Sequence, residues 1–286
     1  MSLALKVINF YLTHIRKNRD VKTRMHLEDK LNKPEPKTKN PTGIKFNRMD
    51  TPNGAIFDIH ADTNSKYIVF YIHGGGYVES FSFVHWRLIK KIVKKTNARV
   101  ITFGYRLAPY ASYKEAYDLI IPVYTKIVEE NSDKKIIVMG DSAGGGLALG
   151  IIEHVRNQVK DPDETILLSP WVDMAMDNPD LVEYEKIDGW LTMTPLSKVT
   201  KYWVKDLDVK DYRVSPIYGE YHDLKNVTVF IGEEELLYPD LIKLCDGLED
   251  SSKQVYFGSG LKHVFPLLPV KEAKPYVEII LNTIIR

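Results

Sequence analysis

Gly140-Asp141-Ser142-Ala143-Gly144 sets one serine among small residues in the pattern G-x-S-x-G. An apolar run, Ile136-Ile137-Val138-Met139, precedes it, and a helix-like run from Leu147 to Val155 follows. A strand-to-helix turn of this kind holds a serine in a strained conformation with its hydroxyl exposed. The helix N-terminus beyond it favours developing negative charge. The chemistry that fits is nucleophilic attack by Ser142 on a carbonyl carbon. A plain glycine-rich connection or a phosphate cradle uses similar residues, but no Walker lysine follows and G-x-G-x-x-G is not matched.

A second cluster, His73-Gly74-Gly75-Gly76, ends another apolar run, Tyr67 to Ile72. Successive glycines let a backbone turn its N–H groups toward a ligand without a Cβ in the way. Gly74, Gly75 and the amide of Ala143 are the expected donors to a tetrahedral oxyanion. His73, Gly76 and Asp141 read as support for that loop. A base is also needed, and of eight histidines His263 stands out. It follows the last apolar run through Gly258-Ser259-Gly260-Leu261-Lys262, and such loops at strand carboxyl ends are where α/β proteins place their chemistry. An acid to orient it should lie between serine and histidine in chain order, where Glu233, Glu234 and Glu235 are available.

These groups need a sheet to hold them. Strands are predicted at 44–49, 55–60, 67–73, 99–104, 136–140, 165–169, 227–231 and 253–258, with Thr51-Pro52-Asn53-Gly54 as a hairpin turn between the first two. From residue 67 the strand runs are continuously apolar, as in a parallel sheet buried on both faces. Helices are predicted near 83–95, 113–130, 143–158, 239–250 and 270–284, giving β-α alternation. Residues 174–222 break the alternation and read as an excursion over the sheet. Residues 3 to about 32 carry apolar positions at helical spacing followed by a basic stretch through Arg24, and the prolines of Asn32-Lys33-Pro34-Glu35-Pro36-Lys37 end the helix. Basic residues beside an apolar face also suit a helix lying on a membrane surface.

The 286 residues carry a net charge of +1, which gives no field to draw in nucleic acid. Cys245 is the only cysteine, so no intramolecular disulfide can form. No apolar run reaches the roughly 18 residues that span a bilayer, and Lys6 interrupts the apolar N-terminus with no cleavage site after it. A cytoplasmic location is the expectation. No metal is expected, since no H-E-x-x-H spacing occurs, and no organic cofactor is needed.

With His73 to Gly76, Tyr105-Arg106-Leu107-Ala108-Pro109, Gly140 to Gly145, Ser169-Pro170-Trp171, Ser215-Pro216 and His263 in place, the chain resembles the hormone-sensitive-lipase-like branch of the α/β-hydrolases. The resemblance spans most of the chain from about residue 40. It implies an α/β fold with an eight-stranded, mostly parallel sheet flanked by helices. It also implies a helical cap, formed by residues 1–40 and the excursion at about 174–222, over a core of residues 41–286. The implied function is a serine carboxylesterase acting on short to medium acyl esters through an acyl-enzyme. In the family the acid shortly follows the glycine that ends its strand and precedes a small-x-leucine pattern, which Glu235-Leu236-Leu237 matches best. The expected triad is therefore Ser142, His263 and Glu235. Four departures stand out: Gly146 where asparagine is usual, Tyr110 where glutamate is usual, no Gly-Asp pair after Gly76, and glutamate as the acid. The partner is a small-molecule ester, and a homodimer is left open. The same machinery permits an amide, formamide or acetyl-sugar hydrolase. A non-catalytic binder has no need of all three triad members, and a membrane-bound lipase would call for a long apolar lid that is absent from the sequence.

Overall fold

The structure, a computed structural model of the chain, describes residues 1–27, 29, 43–60, 65–221, 223–249 and 252–286. Eight strands form one sheet: β1 (Asn47–Thr51), β2 (Gly54–Ile59), β3 (Tyr67–Ile72), β4 (Arg99–Tyr105), β5 (Lys135–Asp141), β6 (Glu164–Leu168), β7 (Val227–Gly232) and β8 (Lys253–Gly258). Their order is β1-β2-β4-β3-β5-β6-β7-β8; β1–β2 and β2–β4 pair antiparallel and all other neighbours pair parallel. Thr51 pairs with Gly54 across the expected two-residue turn. The first strand starts later than expected, at Asn47; ahead of it Ile44 and Phe46 pack on the core, with Phe46 stacked on Trp86.

Strand alternation builds two cores. Ile68, Phe70 and Ile72 of β3 face α4 (Tyr113–Glu130), α5 (Ala143–Val155) and α8 (Tyr238–Gly247), whereas Val69 and Tyr71 face α3 (Phe83–Thr96) and α9 (Lys274–Ile285). Helix starts follow local chemistry. Ser82 and Ser112 form capping boxes, the first with His85 and the second with Glu115.

After β3 the chain turns to β4 on one side, and after β4 it returns to β5 on the other. The sheet therefore reverses direction between β3 and β5, which opens a crevice at their carboxyl ends. Both glycine-rich loops emerge at that point. Over it lie two further segments. One is helical from α1 (Leu3–Phe10) through a π-helical stretch, Tyr11–Arg16, to α2 (Lys17–Met25). The other is the excursion, which carries α6 (Leu181–Ile187) and α7 (Met193–Val204). The N-terminal helix stops at Met25, short of the expected residue 32, and Leu27 turns inward and is fully buried. The proline segment 32–37 and the boundary expected at 40–41 lie outside the described residues. The two upper segments hold each other: Lys198 donates to the Met25 carbonyl (3.2 Å) and Trp190 Nε1 donates to Asp20 (2.8 Å).

Candidate active site

Ser142 sits between β5 and α5 at φ +50°, ψ −127°, a backbone conformation that a non-glycine residue keeps only when its surroundings enforce it. Here they do. The Ser142 amide donates to the Leu168 carbonyl (2.9 Å), and the Ser142 carbonyl accepts from Gly145 (2.9 Å) and Trp171 (2.9 Å). The turn also needs space that only glycine leaves. A Cβ on Gly144 would lie 2.2 Å from the Ile72 carbonyl oxygen, so α5 packs directly on the end of β3.

His263, in the loop after β8, places Nε2 2.8 Å from Ser142 Oγ. Its Nδ1 lies 2.5 Å from Glu235 Oε2. A carboxylate there can only accept, so Nδ1 carries the proton and Nε2 is free to accept from the serine. Glu235 is fully buried, and its other oxygen accepts from the Gly232 amide (2.8 Å) and the Ser169 hydroxyl (2.8 Å). Leu236 and Leu237 are buried and anchor its loop in the core. Glu233 is exposed, and Glu234 pairs with Lys262 (3.2 Å), so Glu235 alone of the three reaches His263.

The His73–Gly76 loop is braced from several sides. His73 Nδ1 donates to the Gly74 carbonyl (2.6 Å), its ring stacks on Tyr105 at 4.5 Å, and Tyr105 Oη donates to the His73 carbonyl (2.8 Å). Burial, with a contribution from His85, lowers the His73 pKa to about 3, so this ring stays neutral and structural. Gly75 adopts φ +115°, and a Cβ there would lie 2.5 Å from the Glu79 carbonyl oxygen. Beneath the loop, Asp141 accepts from Tyr71 Oη (2.6 Å), the Gly74 amide (3.1 Å) and His85 Nε2 (3.3 Å). Burial alone would raise this carboxyl, but His85 and the bonds from Tyr71 and Gly74 outweigh it and hold it below its ordinary value.

One expectation needs correction. Gly74 was expected to donate to an oxyanion, but its N–H is directed to Asp141 Oδ1. The carbonyl of Gly75 accepts from Val78 (3.2 Å) and Glu79 (3.1 Å), which turns the N–H of the same peptide, that of Gly76, to the opposite side. Gly76 rather than Gly74 is therefore the candidate donor to set beside Gly75 and Ala143.

These groups open into a cavity of about 330 Å³ lined by Ser142, His263, Trp171 and side chains of both upper segments, among them Leu12, Arg24 and Leu191. Sequence reasoning missed three contributors. Ser169, at φ +46°, donates to Glu235 and accepts from the Val264 amide (3.0 Å), tying the acid to the histidine loop. Asp188 is buried and accepts from the amides of Trp190 (2.6 Å), Leu191 (3.0 Å) and Leu236 (2.7 Å), joining the excursion to the residue after Glu235. Arg24 reaches the cavity from the end of a basic stretch whose pattern gives no residue a role in the site. Ser169 had a signal, the Ser169-Pro170-Trp171 tripeptide; the other two had none. Among the described residues no helix is long and apolar enough to cross a membrane.

Residues 69–267 match a family model described as alpha/beta hydrolase fold. An esterase of Acinetobacter venetianus is 30% identical over 203 residues, covering 70% of this chain and 67% of that protein. A Staphylococcus aureus protein of known crystal structure, provisionally named an esterase, superposes with a TM-score of 0.85 at 26% identity, over 98% of this chain and 99% of its own. A hormone-sensitive-lipase homologue from a metagenome library superposes with a TM-score of 0.79 at 22% identity, over 98% of this chain and 96% of its own, a likeness of fold.

Proposed function

The chain belongs to the α/β-hydrolase fold family, and from that premise we propose that it is a carboxylesterase of the hormone-sensitive-lipase-like branch, with Ser142, His263 and Glu235 as its catalytic triad. The observation that carries the reading is the continuous hydrogen-bonded line from Ser142 Oγ through both ring nitrogens of His263 to the buried Glu235.

Ser142 Oγ attacks the ester carbonyl as His263 Nε2 takes its proton, and Glu235 stabilises the resulting imidazolium while fixing its tautomer. The oxyanion that forms lies among the amides of Gly75, Gly76 and Ala143, at the N-terminus of α5, where fixed donors need no reorganisation. His263 returns the proton to the departing alkoxide, so alcohol leaves and Ser142 is acylated. Water then attacks the acyl-enzyme, with His263 again as base, and the acid is released.

The two upper segments act as the cap, and their apolar side chains, among them Ile8, Leu12, Leu191 and Leu196, form one wall of the acyl site. At about 330 Å³ the cavity lies at the low end of the ~300–1,000 Å³ range of small-molecule sites, which supports short to medium acyl groups. Two experiments test the reading. Turnover of p-nitrophenyl esters from acetate to palmitate is expected to peak at short to medium length, and faster cleavage of palmitate below micelle formation overturns the size argument. A serine-directed organophosphonate is expected to label Ser142 alone; labelling elsewhere with Ser142 untouched sinks the triad.

A further inference from the structure

Arg24 is a buried cation in the wall of the reaction cavity, without a close partner among the described residues. It is 5% exposed, and its Nε meets no acceptor among the described residues. The nearest carboxylate oxygen to its Nη2, Asp20 Oδ2, is 4.0 Å away, beyond hydrogen-bond reach. That oxygen already accepts from Arg16 Nε (2.7 Å) and Trp190 Nε1 (2.8 Å), while Arg19 approaches the other at 3.4 Å. Arg16 and Arg19 also pair with Glu79. Three guanidinium groups thus share two carboxylates, and Arg24 is the member left over.

An ion held this way is costly, because desolvation is only partly offset by a distant counter-charge. Burial pulls the Arg24 pKa down, with Asp20 and Glu79 opposing, yet a guanidinium stays protonated at any working pH. A role in bracing the oxyanion loop would require a hydrogen bond from the guanidinium to a loop carbonyl, and none is made. What the position offers is proximity. A Cβ on Gly76 would lie 3.3 Å from both Nε and Nη2, so the guanidinium lies directly against the oxyanion loop in the space that a side chain there would take. Leu12, Leu191, Leu196 and Leu268 line the same cavity, together with Arg16, Glu79 and Ser82.

We propose that Arg24 forms a subsite for a free carboxylate on the substrate, so that this esterase favours half-esters of dicarboxylic acids over neutral esters of equal length. The planar fork of a guanidinium accepts a carboxylate in two parallel charge-assisted bonds, and the leucines limit the water that would compete. The proposal rests on the triad reading only for its turnover assay.

The test compares phenyl hydrogen adipate with phenyl hexanoate, acyl groups of equal length that end in carboxylate or methyl. In the wild type the ratio of kcat/KM is expected to favour the adipate half-ester. Arg24→Met is expected to lower that ratio about 10- to 100-fold, the worth of hydrogen bonds to a charged group, and Arg24→Lys to restore part of it. An unchanged ratio in Arg24→Met overturns the proposal. Calorimetry with Ser142→Ala reads the subsite without turnover and without altering Arg24: phenyl hydrogen adipate is expected to bind at least tenfold more tightly than phenyl hexanoate, and equal affinities overturn the proposal. If neither ester is hydrolysed by the wild type while the half-ester is still bound preferentially, the triad reading fails and the subsite stands.

Discussion

Replacing Glu235 by glutamine changes one atom, and the structure dictates which way the new amide must face. The Oε1 position accepts two donors, the Gly232 N–H and the Ser169 hydroxyl, both at 2.8 Å. The backbone donor cannot turn away, so an amide nitrogen there would meet it donor to donor. The amide oxygen therefore stays at that position and the NH₂ group faces His263 Nδ1. An imidazole that accepts at Nδ1 carries its proton on Nε2, where it can no longer accept from Ser142. The expected loss is about 10⁴-fold in kcat, equivalent to about 5.5 kcal/mol of transition-state stabilisation at 1.36 kcal/mol per tenfold. The assay is steady-state hydrolysis of p-nitrophenyl butyrate, with thermal unfolding run alongside to show an intact fold. Glu233→Gln and Glu234→Gln, one exposed and the other paired with Lys262, are expected to stay within a fewfold of wild type. A Glu235→Gln variant within tenfold of wild type, or a crippled Glu234→Gln, would refute the tautomer argument.

Three further outcomes follow from particular contacts. Burial raises the Asp240 carboxyl to about 6, with Asn178 donating to it (2.7 Å), so the folded state holds this proton more tightly than the unfolded chain and stability falls as pH rises from about 4 through 6. Asp240→Asn should match wild type near pH 4 and exceed it by up to roughly 3 kcal/mol above pH 6; equal unfolding temperatures at both ends would count against this. A Cβ at position 146 would lie 2.0 Å from the Trp171 carbonyl oxygen, so Gly146→Asn, although it restores the residue usual in similar chains, should cost about 1–3 kcal/mol and lower turnover by dragging Trp171 from Ser142. Thermal unfolding and kcat check it together. Removing residues 1–27 takes away Leu12, Arg16 and Arg24 from the cavity, so the ester-length optimum should move to longer chains while Ser142 still takes the phosphonate label; an unchanged length profile would show the segment to be idle.

What could be read from the sequence was whatever rests on local rules. The runs Tyr67–Ile72 and Lys135–Asp141 are too apolar to be anything but buried strands, and the glycines that follow them mark where the backbone must turn. The family pattern singled out Glu235 among its neighbours, and the two leucines expected to anchor its loop, Leu236 and Leu237, are buried. Long-range electrostatics were hidden. Gly74 was misassigned because nothing local says that Asp141, 67 residues later, lies beneath its amide. Arg24 belongs to a basic run in which nothing local singles it out, and only the fold brings it to the cavity. Asp188 gave no sign that its carboxylate would collect three amides from two segments.

The π-helical stretch Tyr11–Arg16 sets the phase of the helix that crosses the cavity. In an α-helix each residue advances about 100°, so positions four apart drift steadily around the axis. A wider turn cancels that drift, and Ile8, Leu12 and Arg16 all meet the same cavity. Such wide turns are rare and cluster at functional positions. Deleting one residue within the stretch would let it close to ordinary pitch while the part beyond keeps nearly its present phase, because a π turn takes up one extra residue in almost the same sweep about the axis. The helix thus carries a residue it can lose with Arg24 still on the wall, whereas a deletion within α1 or α2, with no wide turn to absorb it, would swing one part against the other by about 100°.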